Sequence, residues 1–257
     1  MIIVGSEQKM KELVERHRLI DKESGLPEMD FNTIKEMPKE LEIEYGTKSH
    51  DGVRLYLAKK NPNIDFYGSK EDKLTDEEYQ ELKNTMEDHE RITKLDDINE
   101  GYLNILKEKY KDGLGKVERL GQKCVENVKK YGAMNWYEWS IANWGTKWNA
   151  SDTNINGAEM TFDTAWDPAI PAMVEMSRQY PEMPIAMMFA DEQTGAHTGY
   201  VLMKSGNIDE SGSFKDFSVD AYKLAFRAWG NADEYHYDED EKIYVRNDLE
   251  HDGSETE

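Results

Sequence analysis

The chain has 257 residues, of which 38% are hydrophobic and 33% are charged, and its formal net charge is −21. This length accommodates one large domain or two small ones with a packed core. A surface this negative opposes contact with phosphate backbones and anionic lipids, which argues against a nucleic-acid-binding or membrane-binding protein. The acidity favours a partner protein with a basic surface, and improved solubility is the alternative reason for it.

The single cysteine, Cys124, excludes an internal disulfide bond and predicts a reducing, cytoplasmic environment. We expect it to be a small core residue of a helix rather than a reactive thiol. No segment approaches the roughly eighteen consecutive apolar residues of a membrane-spanning helix, so no membrane span is predicted.

The first elements alternate between strand and helix. Residues 2–4 predict a short strand, and Ser6 is a suitable N-cap for a helix with apolar residues at helical spacing. Phe31–Ile34 predicts a second strand that ends before Pro38. Residues 42–70 are ambiguous, although the alternation in Val53–Leu57 is typical of an edge strand.

A block of helices is predicted next. Thr75 and Glu78 form a capping box at the start of an amphipathic helix. Further helices are expected at about 96–110 and 116–130, and a short one begins at Trp136.

Strand patterns then return. Trp148–Ala150 and Ala158–Thr164 are expected to pair across a polar turn. A helix is predicted between Pro168 and Tyr180, and another at Phe217–Trp229. Between these helices, Ile185–Phe189 and Thr198–Met203 are expected to form a hairpin around Asp191–Gly195. When the helical block is set aside, the order is the β-α-β-β-α-β order of a ferredoxin-like fold.

Two sequence motifs carry a family resemblance. Trp136–Asn149 holds four of the six tryptophans and leads into NWGTKWNA, which Met160–Pro168 follows. A second motif comprises Asp30–Ile34 and Met37–Leu41. Together they resemble the YubB-type ferredoxin-like domain family of phage and plasmid accessory proteins. The resemblance implies an α+β ferredoxin-like antiparallel sheet and a mobile-element context, and it brings no assigned reaction.

The predicted organisation follows from the element order and this resemblance. A ferredoxin-like domain is split between residues 1–41 and 146–230, and a helical block at 75–145 is inserted between its halves. Residues 231–257 form an acidic tail, partly disordered, in which Glu241–Arg246 has the pattern of a strand.

No motif for catalysis or cofactor binding is present in the sequence. It lacks the GxSxG and HExxH patterns, and the short Gly113-Leu114-Gly115 run is a weak match to a phosphate loop. One cysteine is too few for an iron–sulfur cluster. Asp248–Gly253 begins like a calcium loop, but the glutamate required at its twelfth position falls beyond the sequence. We therefore predict no metal and no cofactor.

Two surfaces are candidates for partner binding. The first is aromatic and comprises Trp144, Lys147 and Trp148, for which packing against the sheet is the alternative interpretation. The second is an acidic stripe on the helical block, for which an ordinary solvated face is the alternative. The stripe contains Asp76, Glu77, Glu78, Glu81, Glu87, Asp88, Asp96 and Asp97.

Two hypotheses about function remain. The first is a non-enzymatic phage or mobile-element accessory protein in the host cytoplasm. It binds and inhibits a host protein, with a nucleic-acid-handling defence system of the anti-CRISPR or anti-restriction type as the expected target. The alternative is a small-ligand-binding protein or enzyme with a site between the sheet and the inserted helices. In that site Trp144, Trp148, Asp163, Trp166 and His197 converge.

Overall fold

The computed structural model describes residues 2–4, 6–20, 25, 27–65, 72–87 and 98–247. The chain divides into two compact units. The first, here called the sheet unit, comprises Met1–Glu36 and Asn143–Glu257, and the second, the helical unit, comprises Met37–Ala142. Residues 42–74, which the sequence left unassigned, therefore lie in the helical unit together with the predicted block.

The sheet unit contains ten strands and four helices within its described residues. Before the helical unit come β1 (Ile2–Val4), α1 (Glu7–His17), β2 (Arg18–Ile20), β3 (Pro27–Met29) and α2 (Phe31–Ile34). After it come β4 (Ser151–Asn156), β5 (Glu159–Asp163), α8 (Ile170–Gln179), β6 (Ile185–Phe189), β7 (Gly199–Lys204), β8 (Asn207–Ser213), α9 (Val219–Trp229), β9 (Tyr235–Asp238) and β10 (Ile243–Arg246).

Six of these strands form one antiparallel sheet in the order β4-β5-β1-β6-β7-β8. In β1, Ile2 pairs with Thr161 of β5 on one side and with Met188 of β6 on the other. The elements β1, α1, β4, β5, α8 and β6 reproduce the β-α-β-β-α-β order, and β7 and β8 extend the sheet beyond β6. The predicted α+β ferredoxin-like fold is confirmed.

The structure corrects the identity of the second strand. Phe31–Ile34 is a helix, α2, which begins where the carboxylate of Asp30 accepts a hydrogen bond from the Asn32 amide. Phe31 and Ile34 are both buried, because side chains three positions apart lie on the same side of a helix. The second strand of the ferredoxin-like order is instead β4, so the insertion lies between α1 and β4.

Two strands lack the sequence pattern that is typical of a strand. β4 has the sequence SDTNIN, which the pattern analysis assigned to a turn, and β8 has the polar sequence NIDESGS. Both lie at the edges of the sheet. An edge strand with a largely exposed surface needs no alternation of apolar residues, so neither sequence carries the usual strand pattern.

Opposite faces of the sheet are covered by different helices. Alternation along β6 and β7 buries Ile185 and Met187 with Val201 and Met203 on the face against which α8 packs. On α9, Arg227 contacts the sulfur of Met188 and pairs with Glu159 at 2.6 Å. Met188 alternates with the buried Met187, so α9 covers the other face.

The segment predicted as an acidic tail contains a structured hairpin. Its strands β9 and β10 pair from Tyr235 with Arg246 to Asp238 with Ile243. Their tyrosine rings pack on α9, with the Tyr244 ring centroid 5.0 Å from that of Phe226. Residues 248–257 lie outside the described part of the chain.

The helical unit contains α3 (Thr47–Lys60), α4 (Asp76–Glu87), α5 (Glu100–Lys109) and α6 (Leu114–Tyr131), and α7 (Trp136–Trp144) begins in it. Val53–Leu57 is therefore helical, and the predicted edge strand was wrong. Val53, Leu55 and Leu57 are all fully buried. A helix that is buried on several sides loses the 3.6-residue pattern, and its apolar residues then alternate like those of a strand by coincidence.

Helices α3 and α6 cross at a pair of glycines. A Cβ atom on Gly121 would overlap the carbonyl oxygen of Gly52, and a Cβ atom on Gly52 would overlap the carbonyl oxygen of Val117. The two backbones are therefore in direct contact. Three residues beyond Gly121, Cys124 is fully buried, and burial, assisted by the Glu138 carboxylate, raises the pKa of its thiol to about 12.

A buried carboxylate joins α3 to α5. The side chain of Asp51 is 3% exposed and accepts hydrogen bonds from Lys109 Nζ at 2.7 Å and Tyr110 Oη at 2.9 Å. Tyr102 Oη lies 3.3 Å away and Arg54 Nη1 lies 3.5 Å away. The bond to Asp51 raises the pKa of Lys109. Four donors thus compensate one desolvated charge, as a buried ion requires.

The glycine crossing predicts the effect of a single methyl group. Gly121→Ala should destabilise the helical unit by about 3 kcal/mol or more, because backbone atoms cannot move aside without separating α3 from α6. Gly115→Ala, in the first turn of the same helix, is the matched control, since its Cβ would lie 3.6 Å from Arg119 Nη1. Denaturant unfolding should show no loss of stability for the control and up to about 1 kcal/mol of gain. Equal effects of the two substitutions would contradict the close crossing.

His17 predicts a pH dependence of stability. Its ring is fully buried, and Nδ1 lies 2.7 Å from Thr33 Oγ1. Within the described part of the chain, Nε2 has no hydrogen-bond partner. Burial, assisted by the positive charge of Arg16, lowers the pKa of His17 to about 4, although Asp30 opposes the shift.

Because the folded pKa lies below the unfolded value, the contribution of His17 to stability is complete above about pH 6.5 and is lost as the pH falls towards 4. At pH 5 we expect about 2 kcal/mol less stability from this group than at pH 8. His17→Gln should remove this part of the pH slope in denaturant unfolding, and the exposed control His236→Gln should leave the slope unchanged. An unaltered slope in His17→Gln would show that the buried imidazole is not its source.

Candidate functional site

Two of the acidic residues predicted on the helical block, Asp76 and Glu78, have local roles at the start of α4. Asp76, Glu77, Glu78 and Glu81 are all exposed. Glu78 completes a capping box, accepting a bond from the Thr75 amide at 2.9 Å, while Asp76 accepts one from Asn63. The bonds to Thr75 lower the pKa of Glu78. Glu87 is the last residue of α4, and Asp88, Asp96 and Asp97 lie outside the described residues.

Trp144 lies in the core and not at the predicted aromatic surface. It is only 4% exposed, its ring centroid is 5.9 Å from that of Phe31, and its Nε1 donates a hydrogen bond to the Lys35 carbonyl at 2.9 Å. We therefore leave Trp144 out of the candidate binding surface.

The two sequence motifs are bonded to each other. Asn149 Oδ1 accepts a hydrogen bond from the Phe31 amide, and Asn149 Nδ2 donates to Asp30, both at 2.8 Å. Together with the bond from Trp144 to Lys35, these contacts fix the segment 143–149 against residues 30–35. Most of the motif therefore has a structural role within the sheet unit.

A turn next to this segment brings a third tryptophan to the surface. Thr146 Oγ1 donates to the Ala165 carbonyl at 2.9 Å and so holds the turn that contains Trp166. Gly145 has a φ of +87°, and a Cβ atom there would meet Pro171, so glycine is required. Trp166 itself has a φ of +73°, a conformation that is costly for a residue with a large side chain.

Lys147 lies between two exposed tryptophan rings. Its Nζ is 3.8 Å from the ring centroid of Trp148 and 3.5 Å from that of Trp166. Trp148 is 57% exposed and Trp166 is 74% exposed, which is unusual for the residue type with the largest apolar surface. We call these three residues the tryptophan clamp. Both rings present the electron-rich face that attracts a cation.

The clamp borders a cleft of about 650 Å³ at the edge of the sheet where β5 and β6 end and β7 begins. Because β5 and β6 are both antiparallel to β1, their last residues, Asp163 and Phe189, reach the same edge. Every residue that lines the cleft belongs to the sheet unit. Four carboxylates line it: Asp163, Asp167, Asp191 and Glu192.

Hydrogen bonds fix the loop between β6 and β7. The Asp191 carboxylate accepts a bond from the Gln193 amide at 2.8 Å, and its carbonyl accepts one from Trp229 Nε1 at 2.7 Å. Asp191 Oδ2 also lies 3.6 Å from Nδ1 of the exposed His197, whose amide donates to Asp216. The loop therefore holds Asp191 and His197 side by side at the opening of the cleft.

Asp163 is a partly buried carboxylate of the cleft. Burial raises the pKa of its carboxyl, and the negative charges of Asp152 and Glu28 add to the increase. A cation placed beside Asp163 would favour its charged form and be attracted by it. The cleft thus combines aromatic faces with carboxylates, which is the chemistry of a cation-binding site.

Some residues of this cleft were predicted from the sequence, and others were not. Five residues are predicted to converge between the sheet and the inserted helices. Four of them, Trp148, Asp163, Trp166 and His197, line this cleft of the sheet unit, whereas Trp144 is buried in the core. Sequence reasoning missed Asp191, Glu192 and Trp229. The acidic hairpin loop between two apolar strands was the available signal for Asp191 and Glu192, and nothing local indicated Trp229.

The cleft has one acid–base pair, and the described residues contain no cluster of metal ligands. The cleft lining contains the Asp191–His197 pair, but no serine or cysteine lies among the lining residues. Among the described residues, no three His, Cys, Asp or Glu side chains cluster in a way that would hold a metal ion. No helix in the described ranges has both the length and the apolar composition needed to cross a membrane.

A family model agrees with the ferredoxin-like fold of the sheet unit. Residues 143–246, which include the clamp and the cleft, match the family model described as a ferredoxin-like domain in Api92-like protein. Among solved structures, the chain is similar to the protein Api92 from Yersinia pseudotuberculosis, with 14% identity over 83% of this chain and 95% of that chain and a TM-score of 0.32. No curated protein matches the chain. The family match supports a ferredoxin-like family for the region that carries the site, without extending to the YubB-type name.

Proposed function

We propose that this protein is a non-enzymatic binding protein that docks onto a basic surface of a partner protein through the tryptophan clamp and its acidic cleft. The observation that carries the proposal is the exposure of Trp148 and Trp166, at 57% and 74%, beside a cleft with four carboxylates. Exposed tryptophans with apolar and hydrogen-bonding capacity are the residues that most often dominate binding energy at protein interfaces.

The charge of the chain supports a basic partner. A formal net charge of −21 attracts a cationic surface over several ångströms and accelerates its encounter, while the tryptophans supply short-range affinity. The same charge opposes binding to DNA or RNA, because each phosphate contact would be repulsive. Association should therefore weaken as salt is added, since screening reduces the attraction.

The resemblance to phage and plasmid accessory proteins gives the proposal a context. In this context the protein acts in the cytoplasm of a host cell and inhibits a host protein. A nucleic-acid-handling defence enzyme of the anti-CRISPR or anti-restriction type fits the physical argument, because such enzymes present basic channels to their substrates. The part of the acidic stripe that lies on α4, Asp76, Glu77, Glu78, Glu81 and Glu87, is a second candidate surface for this partner.

A small-ligand-binding protein or enzyme is the second candidate. The volume of about 650 Å³ is within the range of small-molecule sites, and the Asp191–His197 pair is able to transfer a proton. We rank this candidate lower, because the cleft lining has no serine or cysteine that the Asp191–His197 pair would activate as a nucleophile.

Matched variants test whether the tryptophan clamp binds the partner, in an affinity purification from host cells that carry a defence system. Trp148→Ala with Trp166→Ala should weaken capture of a basic partner by about 30-fold or more, as expected for hot-spot residues. Ile105→Ala, which alters another exposed apolar residue, is the control and should leave capture unchanged. Inhibition of the captured enzyme should likewise weaken in the tryptophan double variant and remain unchanged in Ile105→Ala.

Charge reversal completes the experiment. Asp167→Lys with Glu192→Lys should abolish binding if the cleft docks the partner, whereas Glu77→Lys with Glu81→Lys should abolish it if the stripe on α4 does. Full binding by the tryptophan double variant and by both charge-reversal variants would contradict the proposal. Tight association of the unmodified protein with nucleic acid in the same extracts would contradict it as well.

A further inference from the structure

We propose that the tryptophan clamp is a binding site for an arginine side chain of the partner, and that Lys147 is an internal occupant which the arginine displaces. This inference rests on the proposed docking function and adds the chemical class of the bound group. The ammonium group of Lys147 lies 3.8 Å from the ring centroid of Trp148 and 3.5 Å from that of Trp166.

The rings hold Lys147 without help from an anion. In the part of the chain that the structure describes, no carboxylate forms an ion pair with its amino group, although four carboxylates line the adjacent cleft. Lysine in a surface site ordinarily extends into water or pairs with an acid. The position of Lys147 therefore shows directly that the space between Trp148 and Trp166 accepts a cation.

Lys147 is also an occupant that is able to leave. Its side chain is partly exposed and has four rotatable bonds, so it regains rotamer freedom and full hydration when it moves away from the rings. The backbone that carries the two rings keeps its place, because Thr146 is bonded to Ala165 and Gly145 packs against Pro171. Removal of the lysine would leave a formed site rather than a collapsed one.

A guanidinium group suits this site better than an ammonium group does. It is planar and weakly hydrated, so it stacks on aromatic rings, and it donates in a fork to carboxylates. Asp163 and Asp167 line the same cleft as both rings and are available to accept such bonds. An arginine from a partner is therefore able to contact both the rings and the carboxylates. Lys147 is attached to the chain next to Trp148, which limits the carboxylates that its amino group reaches.

The test uses the full-length protein and three short peptides of equal length, Gly-Arg-Gly, Gly-Lys-Gly and Gly-Gln-Gly. Binding is followed by the NMR shifts of the tryptophan indole N–H groups, with Trp148 and Trp166 assigned by single substitution. We expect the arginine peptide to shift both signals at lower concentration than the lysine peptide, and the glutamine peptide to shift neither. Tetramethylammonium is included as a small cation that cannot stack or donate.

Variants then test displacement. Lys147→Gln should tighten binding of the arginine peptide at least threefold, because the competing cation is removed. Lys111→Gln makes the same change in net charge at an exposed site elsewhere and should have no such effect. Trp166→Ala should weaken binding at least tenfold, and its melting temperature should equal that of the unmodified protein because the ring is exposed.

The outcomes distinguish this inference from the proposed function. Unchanged or weaker arginine binding in Lys147→Gln would overturn displacement, even if the partner still docks through the clamp. Tighter binding of tetramethylammonium than of the arginine peptide would overturn the assignment to arginine. If the peptide behaves as expected but partner capture is indifferent to Trp148→Ala and Trp166→Ala, the cation site stands and the docking function fails.

Discussion

The antiparallel pairing of β1 with β5 and β6 is the constraint on which the sheet unit depends. A strand of three residues at the start of the chain lies between two strands that follow the helical unit, so the sheet is complete only when distant parts of the chain meet. Such pairing is slow to form because a long loop must close first. The same pairing sends β5 and β6 to one edge, where their last residues form the walls of the cleft. Fold and candidate site thus have a common origin.

The tryptophan-rich segment serves two purposes at once. Trp144, Thr146 and Asn149 connect the segment to residues 30–35 and to the turn at Ala165, and they are satisfied by the backbone groups they bind. Between Thr146 and Asn149, Trp148 lines the cleft and Lys147 places its amino group over the rings of Trp148 and Trp166. A rigid, hydrogen-bonded support under an exposed aromatic pair reduces the entropy lost on binding, which is the usual advantage of a preorganised site.

The sequence predicted those structural features that depend on neighbouring residues, and it failed where tertiary packing decides. The ferredoxin-like fold class, the capping box at Thr75 and four of the five residues expected to converge were recoverable from pattern and motif. Phe31–Ile34 and Val53–Leu57 were misassigned, because short apolar runs have no period that separates strand from helix. Trp144 and Trp148 have the same chemistry and lie four residues apart. Only tertiary packing decides that the first is buried and the second exposed, and only the register of the sheet brings Asp191 and Trp229 to the cleft.

The chain's only thiol offers a natural way to observe the helical unit separately. With a pKa of about 12 and no exposed surface, Cys124 remains protonated and shielded while α3 and α6 stay together. A thiol-reactive dye would therefore label only those molecules in which the helical unit has transiently opened, and the labelling rate would measure how often that occurs. Four of the six tryptophans belong to the sheet unit, so tryptophan fluorescence would report mainly on that unit, with Trp136 and Trp139 adding a contribution from the helical unit.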